Sequence, residues 1–252
     1  MSKKIISGEV YLHNMYLEEL PEFLADIDKV MGDMSIDGNS LTNLKNCPRI
    51  IHGYFTARKS NLRSLEGGPR EIKYDFDISR NLLTNLEHSP DIVYGIYDCK
   101  RNSNLKSLKG CTPRLESFDA SGCDLRDLVG GPTEIVRFDY NVMAYYVVAH
   151  NRNLTSLYGA PTVIPGNFSA FGCGLKDLKG APKIIEFTFN VGENPLESLE
   201  GCPKKVGGNF ICYPQDSYKD ESLQTFTEEQ IRAVCDVRGD VIVKRDSIDV
   251  DI

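Results

Sequence analysis

Residues 104–128 read NLKSLKGCTPRLESFDASGCDLRDL, and this stretch holds one full cycle of the pattern that organises the chain. Leu105 and Leu108 form a Leu-x-x-Leu pair, Pro113 follows the second leucine by five positions, and Leu115 follows it by seven. Phe118 and Ala120 then alternate with polar residues, Cys123 follows, and Leu125/Leu128 begin the cycle again. Working outward, the pair recurs at Leu41/Leu44, Leu62/Leu65, Leu83/Leu86, Leu154/Leu157, Leu175/Leu178 and Leu196/Leu199. The steps between pairs are 21, 21, 22, 20, 29, 21 and 21 residues. A proline follows each pair by four or five positions: Pro48, Pro69, Pro90, Pro113, Pro132, Pro161, Pro182 and Pro203. An aliphatic residue stands seven after each second leucine: Ile51, Ile72, Val93, Leu115, Ile135, Ile164, Ile185 and Val206. Three linked positions matching in eight units establish an internal repeat, and a period of this length signals a solenoid.

Within each unit the aliphatic residue opens a stretch of period 2, such as Ile72-Tyr74-Phe76-Ile78 or Ile185-Phe187-Phe189-Val191. Aromatic and β-branched residues at that period predict a strand with one buried face. After the strand a small polar slot precedes the next leucine pair, filled by Asn39, Ser60, Asn81, Asn102, Cys123, Arg152, Cys173 and Asn194. In a stacked coil such a side chain can satisfy backbone groups turned inward at a bend. Arg152 departs from the pattern and follows the irregular 29-residue step.

The unit Phe-x-Ala/Cys-x-x-Asn/Cys-x-Leu-x-x-Leu resembles the leucine-rich repeat, in its short bacterial type, where extended or 3₁₀ segments replace the helix. It is also similar to uncharacterised repeat proteins of large tailed bacteriophages. The resemblance spans about residues 10–216 and implies a mainly β, leucine-rich-repeat-like solenoid of about nine coils of ~21 residues. The expected organisation is an N-terminal cap and degenerate repeat over 1–37, the solenoid over 38–216, and a C-terminal helix-strand cap over 217–252. Thr227 followed by Glu228, Glu229 and Gln230 is a capping-box pattern, and it predicts a helix running to about Val237. The repeat itself is expected to stop after Cys212.

Composition narrows function. The chain has 252 residues, 36 acidic against 29 basic side chains and a formal charge of -7, which disfavours a dedicated nucleic-acid binder. Behind Met1 to Ile6 there is no apolar segment of a secretory signal, and no run approaches a membrane span. A cytoplasmic protein with reduced thiols is expected. Seven of the eight cysteines have repeat slots and Cys235 falls in the predicted helix. No Cys/His spacing suits zinc, the histidines His13, His52, His88 and His150 are scattered, and Gly67-Gly68, Gly130-Gly131 and Gly207-Gly208 belong to turns and strands of the repeat. No catalytic constellation, metal site or cofactor site is therefore expected.

What distinguishes the units is their solvent-facing columns. One position after the aromatic slot reads Thr56, Asp77, Asp98, Asp119, Ser169, Asn190 and Ile211. A column nearer the turn reads Arg58/Lys59, Arg80 and Lys100/Arg101, then His150 and Arg152. The two ladders can neutralise one another, or the cations can meet an acidic or phosphate-bearing partner, for which arginine is suited. The 29-residue step adds about eight residues before Val147, including Tyr140, Tyr145 and Tyr146, and insertions of this kind map to loops on one face. They either pack on their own coil or extend the binding face. The expected function is non-enzymatic recognition of a protein through the concave face, using Arg58, Lys59, Arg80, Lys100, Arg101, Asp77, Asp98, Asp119, Tyr140, Tyr145 and Tyr146. The bacteriophage resemblance implies a host protein, including a defence component, as the partner to be inhibited or redirected. Nucleic-acid or nucleotide binding by the basic ladder, and assembly as a homo-oligomer, are the alternative readings.

Overall fold

Each coil buries its aliphatic, aromatic and leucine positions only against the coils on either side, so the units must stack. The computed structural model, described over residues 4–138, 142–214 and 226–244, shows this stack as a parallel β-solenoid of about ten turns. One wall is a continuous 11-stranded parallel sheet. The opposite wall is divided into sheets of five, two and four strands. The period-2 stretch read as one strand is in fact two. In the unit of residue 72, Glu71–Ile72 lies in the divided wall and Phe76–Asp77 in the continuous one. A corner at Tyr74-Asp75 separates them, which is why Tyr74 is exposed although it falls in phase with the core.

The core is a set of side-chain columns. Phe55, Phe76, Tyr97, Phe118, Tyr146, Phe168, Phe189 and Phe210 stack in register, with successive ring centroids 5.1 to 5.9 Å apart. Leu41, Leu62, Leu83, Leu105, Leu125, Leu154 and Leu175 form a parallel buried column. Under the bend, Asn81 shows what the small polar slot does. Its amide donates to the carbonyls of Ala57 and Ile78 (2.8 and 2.9 Å) and its Oδ1 accepts the N–H of Ser60 and Leu62 (2.9 and 3.1 Å). One side chain thus ties two coils together through groups that would otherwise be buried without partners. Cys123 and Cys173 occupy the same column and direct their thiols at the carbonyls of Cys99 and Val148.

Two sequence expectations are corrected. The slot assigned to Arg152 belongs to Asn151, which is fully buried and donates to Ala120 and Val148 at 2.9 Å each. The extra residue of that unit lies between the slot and Leu154, and Arg152 is exposed. At the C-terminus the capping box forms as expected, but α1 (Glu228–Arg232) ends five residues before Val237. Asp236–Val237 and Val241–Ile242 then pair with Lys205–Val206 and Phe210–Ile211 as one further coil. The repeat continues past Cys212 through a segment that carries the helix.

Candidate functional site

The column read as an acidic ladder is confirmed by strand register: Thr56 pairs with Asp77, Asp77 with Asp98, and Asp98 with Asp119. These carboxylates first serve their own turns. Each accepts the N–H two residues ahead: Ser79 to Asp77 (2.9 Å), Lys100 to Asp98 (3.0 Å) and Ser121 to Asp119 (2.9 Å). Asn190 does the same for Gly192, so the slot needs an acceptor and not a charge. Burial raises the Asp98 carboxyl above the usual aspartate range, against the opposing hydrogen bond from Lys100.

The five basic residues divide sharply. Arg58 lies 2.6 Å from Asp37 and 3.8 Å from Asp77, and its hydrogen bond to Asp37 raises its pKa further. Lys100 lies 2.6 Å from Asp98 and 3.7 Å from Asp119. Burial opposes its charge, and the neighbouring aspartates outweigh that opposition, so it too titrates above an ordinary lysine. For Arg58 and Lys100 the self-neutralising arrangement holds. Lys59, Arg80 and Arg101, one residue further along, are exposed and have no carboxylate within ion-pair distance among the described residues.

The backbone explains the division. Lys59, Arg80 and Arg101 have φ of 51°, 58° and 57°, the left-handed region. The same turn position is taken by Gly38, Gly122 and Gly172, by His150 at φ 57° and by Glu193 at φ 56°. A left-handed turn projects its side chain away from the sheet and out of reach of the aspartates. It also costs a non-glycine residue about 1 kcal/mol. Adjacent coils place these three cations at roughly 4.8 Å intervals along the solenoid. Among the described residues they form a column of charge without ion-pair partners on this edge. His150 continues it, but its ring is engaged with Phe171, 5.4 Å away edge to face.

The tyrosines also separate. Tyr146, expected at an interface, is fully buried in the aromatic stack, because the insertion restores register one residue before it. Its hydroxyl has no hydrogen-bond partner among the described residues. Tyr145 stays on the solvent side of the long sheet, and burial followed by the charge of Asp119 raises its hydroxyl pKa. It therefore stands beside the acidic ladder. Tyr140 lies outside the described residues. Ahead of it, Phe138 packs on Tyr94 at 5.4 Å, so this end of the insertion folds against its own wall.

Asp37, the carboxylate that holds Arg58, was missed because its coil has Met34 where later coils have the aromatic that marks the column. The left-handed column was also legible only in part: Gly38, Gly122 and Gly172 stand one before the small polar slot, and that spacing is the signal.

The described residues hold no cluster of His, Cys, Asp and Glu suited to a metal ion, and no helix long and apolar enough to cross a membrane. All eight cysteines are free, and burial lifts the Cys123, Cys173 and Cys212 thiols to about 12. Comparison with known proteins returns no matching family model, no matching curated protein and no matching solved structure.

Proposed function

We propose that this solenoid is a non-enzymatic recognition module that binds a protein partner along the turn edge of its long sheet. Lys59, Arg80 and Arg101 are the primary contacts and Tyr145 flanks them. The observation that carries the reading is the column of three unpaired cations held at left-handed turns. Glycine fills that position in other coils at no steric cost, so the turn does not require the charges. A partner with acidic or phosphorylated side chains would satisfy them, and arginine forks offer bidentate geometry to either. Arg58 and Lys100 keep the Asp ladder neutral and are not contacts in this reading. The finer version, a leucine-rich-repeat-like bacteriophage protein that binds a host defence component in the cytoplasm, rests on the resemblance of the repeat unit.

The test is affinity capture from bacterial lysate with wild type, the Arg80→Glu/Arg101→Glu variant and an Arg58→Ala control, each first checked for an unchanged thermal melt. One protein retained by wild type and by the control, and lost from the double variant, is the expected result. Retention by all three, or recovery of nucleic acid alone with steep salt dependence, contradicts it.

A further inference from the structure

A second group of cations without ion-pair partners among the described residues lies on the opposite wall, at its C-terminal end: Lys183, Lys204, Lys205 and Arg238. Elsewhere on that wall Arg49 lies beside Asp28, Arg70 beside Asp91, Lys73 beside Glu71 and Arg114 beside Glu134, and Lys29 is a lone cation without an ion pair among the described residues. In a chain with more carboxylates than cations, four adjacent unmatched cations are a local exception.

They surround a groove of about 310 Å³ whose lining includes the cations Arg137, Lys205 and Arg238, the apolar Ile184 and Phe187, and one carboxylate, Glu186, which Arg137 neutralises. Its origin is local. Gly207 and Gly208 take the positions that Glu186 and Phe187 hold in the preceding coil. Neither tolerates a side chain: a Cβ on Gly207 would come within 2.1 Å of the Glu186 carbonyl oxygen, and one on Gly208 within 2.9 Å of the Phe187 backbone. The close approach of the coils thus removes one row of side chains. A trough about 10 Å across, two strand spacings, is left with Glu186 and Phe187 on one bank and Arg238 and Gly239 on the other. Other grooves, such as that lined by Gly67, Gly68 and Arg70 and that lined by Gly180, Ala181 and Lys183, recur at the Gly/Pro turns as products of the repeat.

The banks differ in chemistry. The Phe187 ring is 37% exposed, and Arg137 lies over it with its guanidinium carbon 5.4 Å from the centroid while also holding Glu186 at 3.4 Å. Ile184 adds exposed apolar surface beside it. Facing them, Lys205 and Arg238 have no carboxylate within ion-pair distance among the described residues, although Asp236 stands beside Lys205 in register. We infer that this groove binds a nucleoside phosphate, the base stacked at Phe187 and Ile184 and the phosphates between Lys205 and Arg238, with Lys183 and Lys204 adding attraction at the rim. The volume suits a mononucleotide and not a polymer segment, and lies at the low end for small-molecule sites.

The test is calorimetric titration of the full chain with ADP, with pyrophosphate and adenosine as comparators. ADP is expected to bind at least tenfold more tightly than either comparator. Lys205→Ala/Arg238→Ala should weaken ADP by tenfold or more, and Phe187→Leu should weaken ADP while leaving pyrophosphate unchanged. Each variant is checked by thermal melt. Arg80→Glu/Arg101→Glu, on the other wall, should leave ADP binding unaltered, which keeps this site separable from the proposed protein interface. Absence of ADP binding up to millimolar concentration overturns the inference. Pyrophosphate binding as tightly as ADP, or ADP affinity insensitive to both groove variants, overturns it equally.

Discussion

Three coils in the N-terminal half and three in the C-terminal half build the same left-handed turn from different residues. Lys59, Arg80 and Arg101 occupy it in the first half; Gly122, His150 and Gly172 occupy it in the second. The φ values fall between 51° and 65°, so the backbone asks the same of all six. Glycine meets that demand without strain, and arginine does not. The sheet column beside the turn changes one coil later, from Asp77, Asp98 and Asp119, the last in the coil of Gly122, to Val147, Ser169 and Asn190. The fold is therefore indifferent to whether this edge is charged, and the charge in the first half calls for a reason outside the fold.

The largest expected effect tests the register on which the comparison depends. Asn151→Ala would leave the buried carbonyl of Ala120 and the N–H of Leu125 without partners and the Val148 carbonyl with only the Cys173 thiol, and should cost about 2–3 kcal/mol in chemical denaturation. Arg152→Ala should change stability by less than about 0.5 kcal/mol. If the two costs were reversed, Arg152 would hold the slot and the second half would be out of register as described.

Exchanging residues between the halves should move stability and binding in opposite directions. Arg80→Gly should raise stability by up to about 1 kcal/mol by relieving the left-handed strain, and should weaken partner capture. Gly122→Arg should cost about 1 kcal/mol. The nearest atom to a new Cβ there is the Arg101 Cγ at 3.6 Å, an ordinary contact, so the substitution extends the cation column and should strengthen capture. A smaller effect separates the two tyrosines of the core. Tyr146→Phe removes an unsatisfied buried hydroxyl and should stabilise by about 1 kcal/mol. Tyr97→Phe breaks the 2.7 Å bond to Ser89 and should destabilise by a similar amount.

The smallest effect concerns pH. The folded pKa of Asp98 is raised, burial being the main cause. Between the unfolded and folded pKa the native state holds the extra proton, so its contribution to stability falls as pH rises through that window. Asp98→Asn keeps the acceptor that Asn190 shows to be sufficient. Its melting temperature relative to wild type should therefore be highest near neutral pH and converge with wild type as pH falls toward 4. A difference that grows on acidification would mean that the Lys100 pair outweighs burial.

Much of the fold was legible because linked positions recur with fixed spacing, and spacing alone sets register in a stacked coil. It failed where that spacing was diluted. Asn151 and Arg152 are adjacent, and the leucine that should choose between them is displaced by one residue. The last coil puts Val237 and Val241 in the aliphatic and aromatic slots with no leucine pair before them. The site was legible less far. Arg58 and Lys59, or Lys100 and Arg101, are neighbours of like charge, and only the sign of φ decides which one reaches an aspartate. Tyr145 and Tyr146 present the same difficulty across the faces of one strand.

The most direct test is the triple variant Lys59→Gly/Arg80→Gly/Arg101→Gly, measured together for thermal stability and for capture of the partner that wild type retains. A melting temperature at or above wild type with capture lost is the predicted result, because the cations would then serve binding at the expense of the turn. A lower melting temperature, or capture unchanged, would show that the three cations support the fold or stand idle, and would contradict the account.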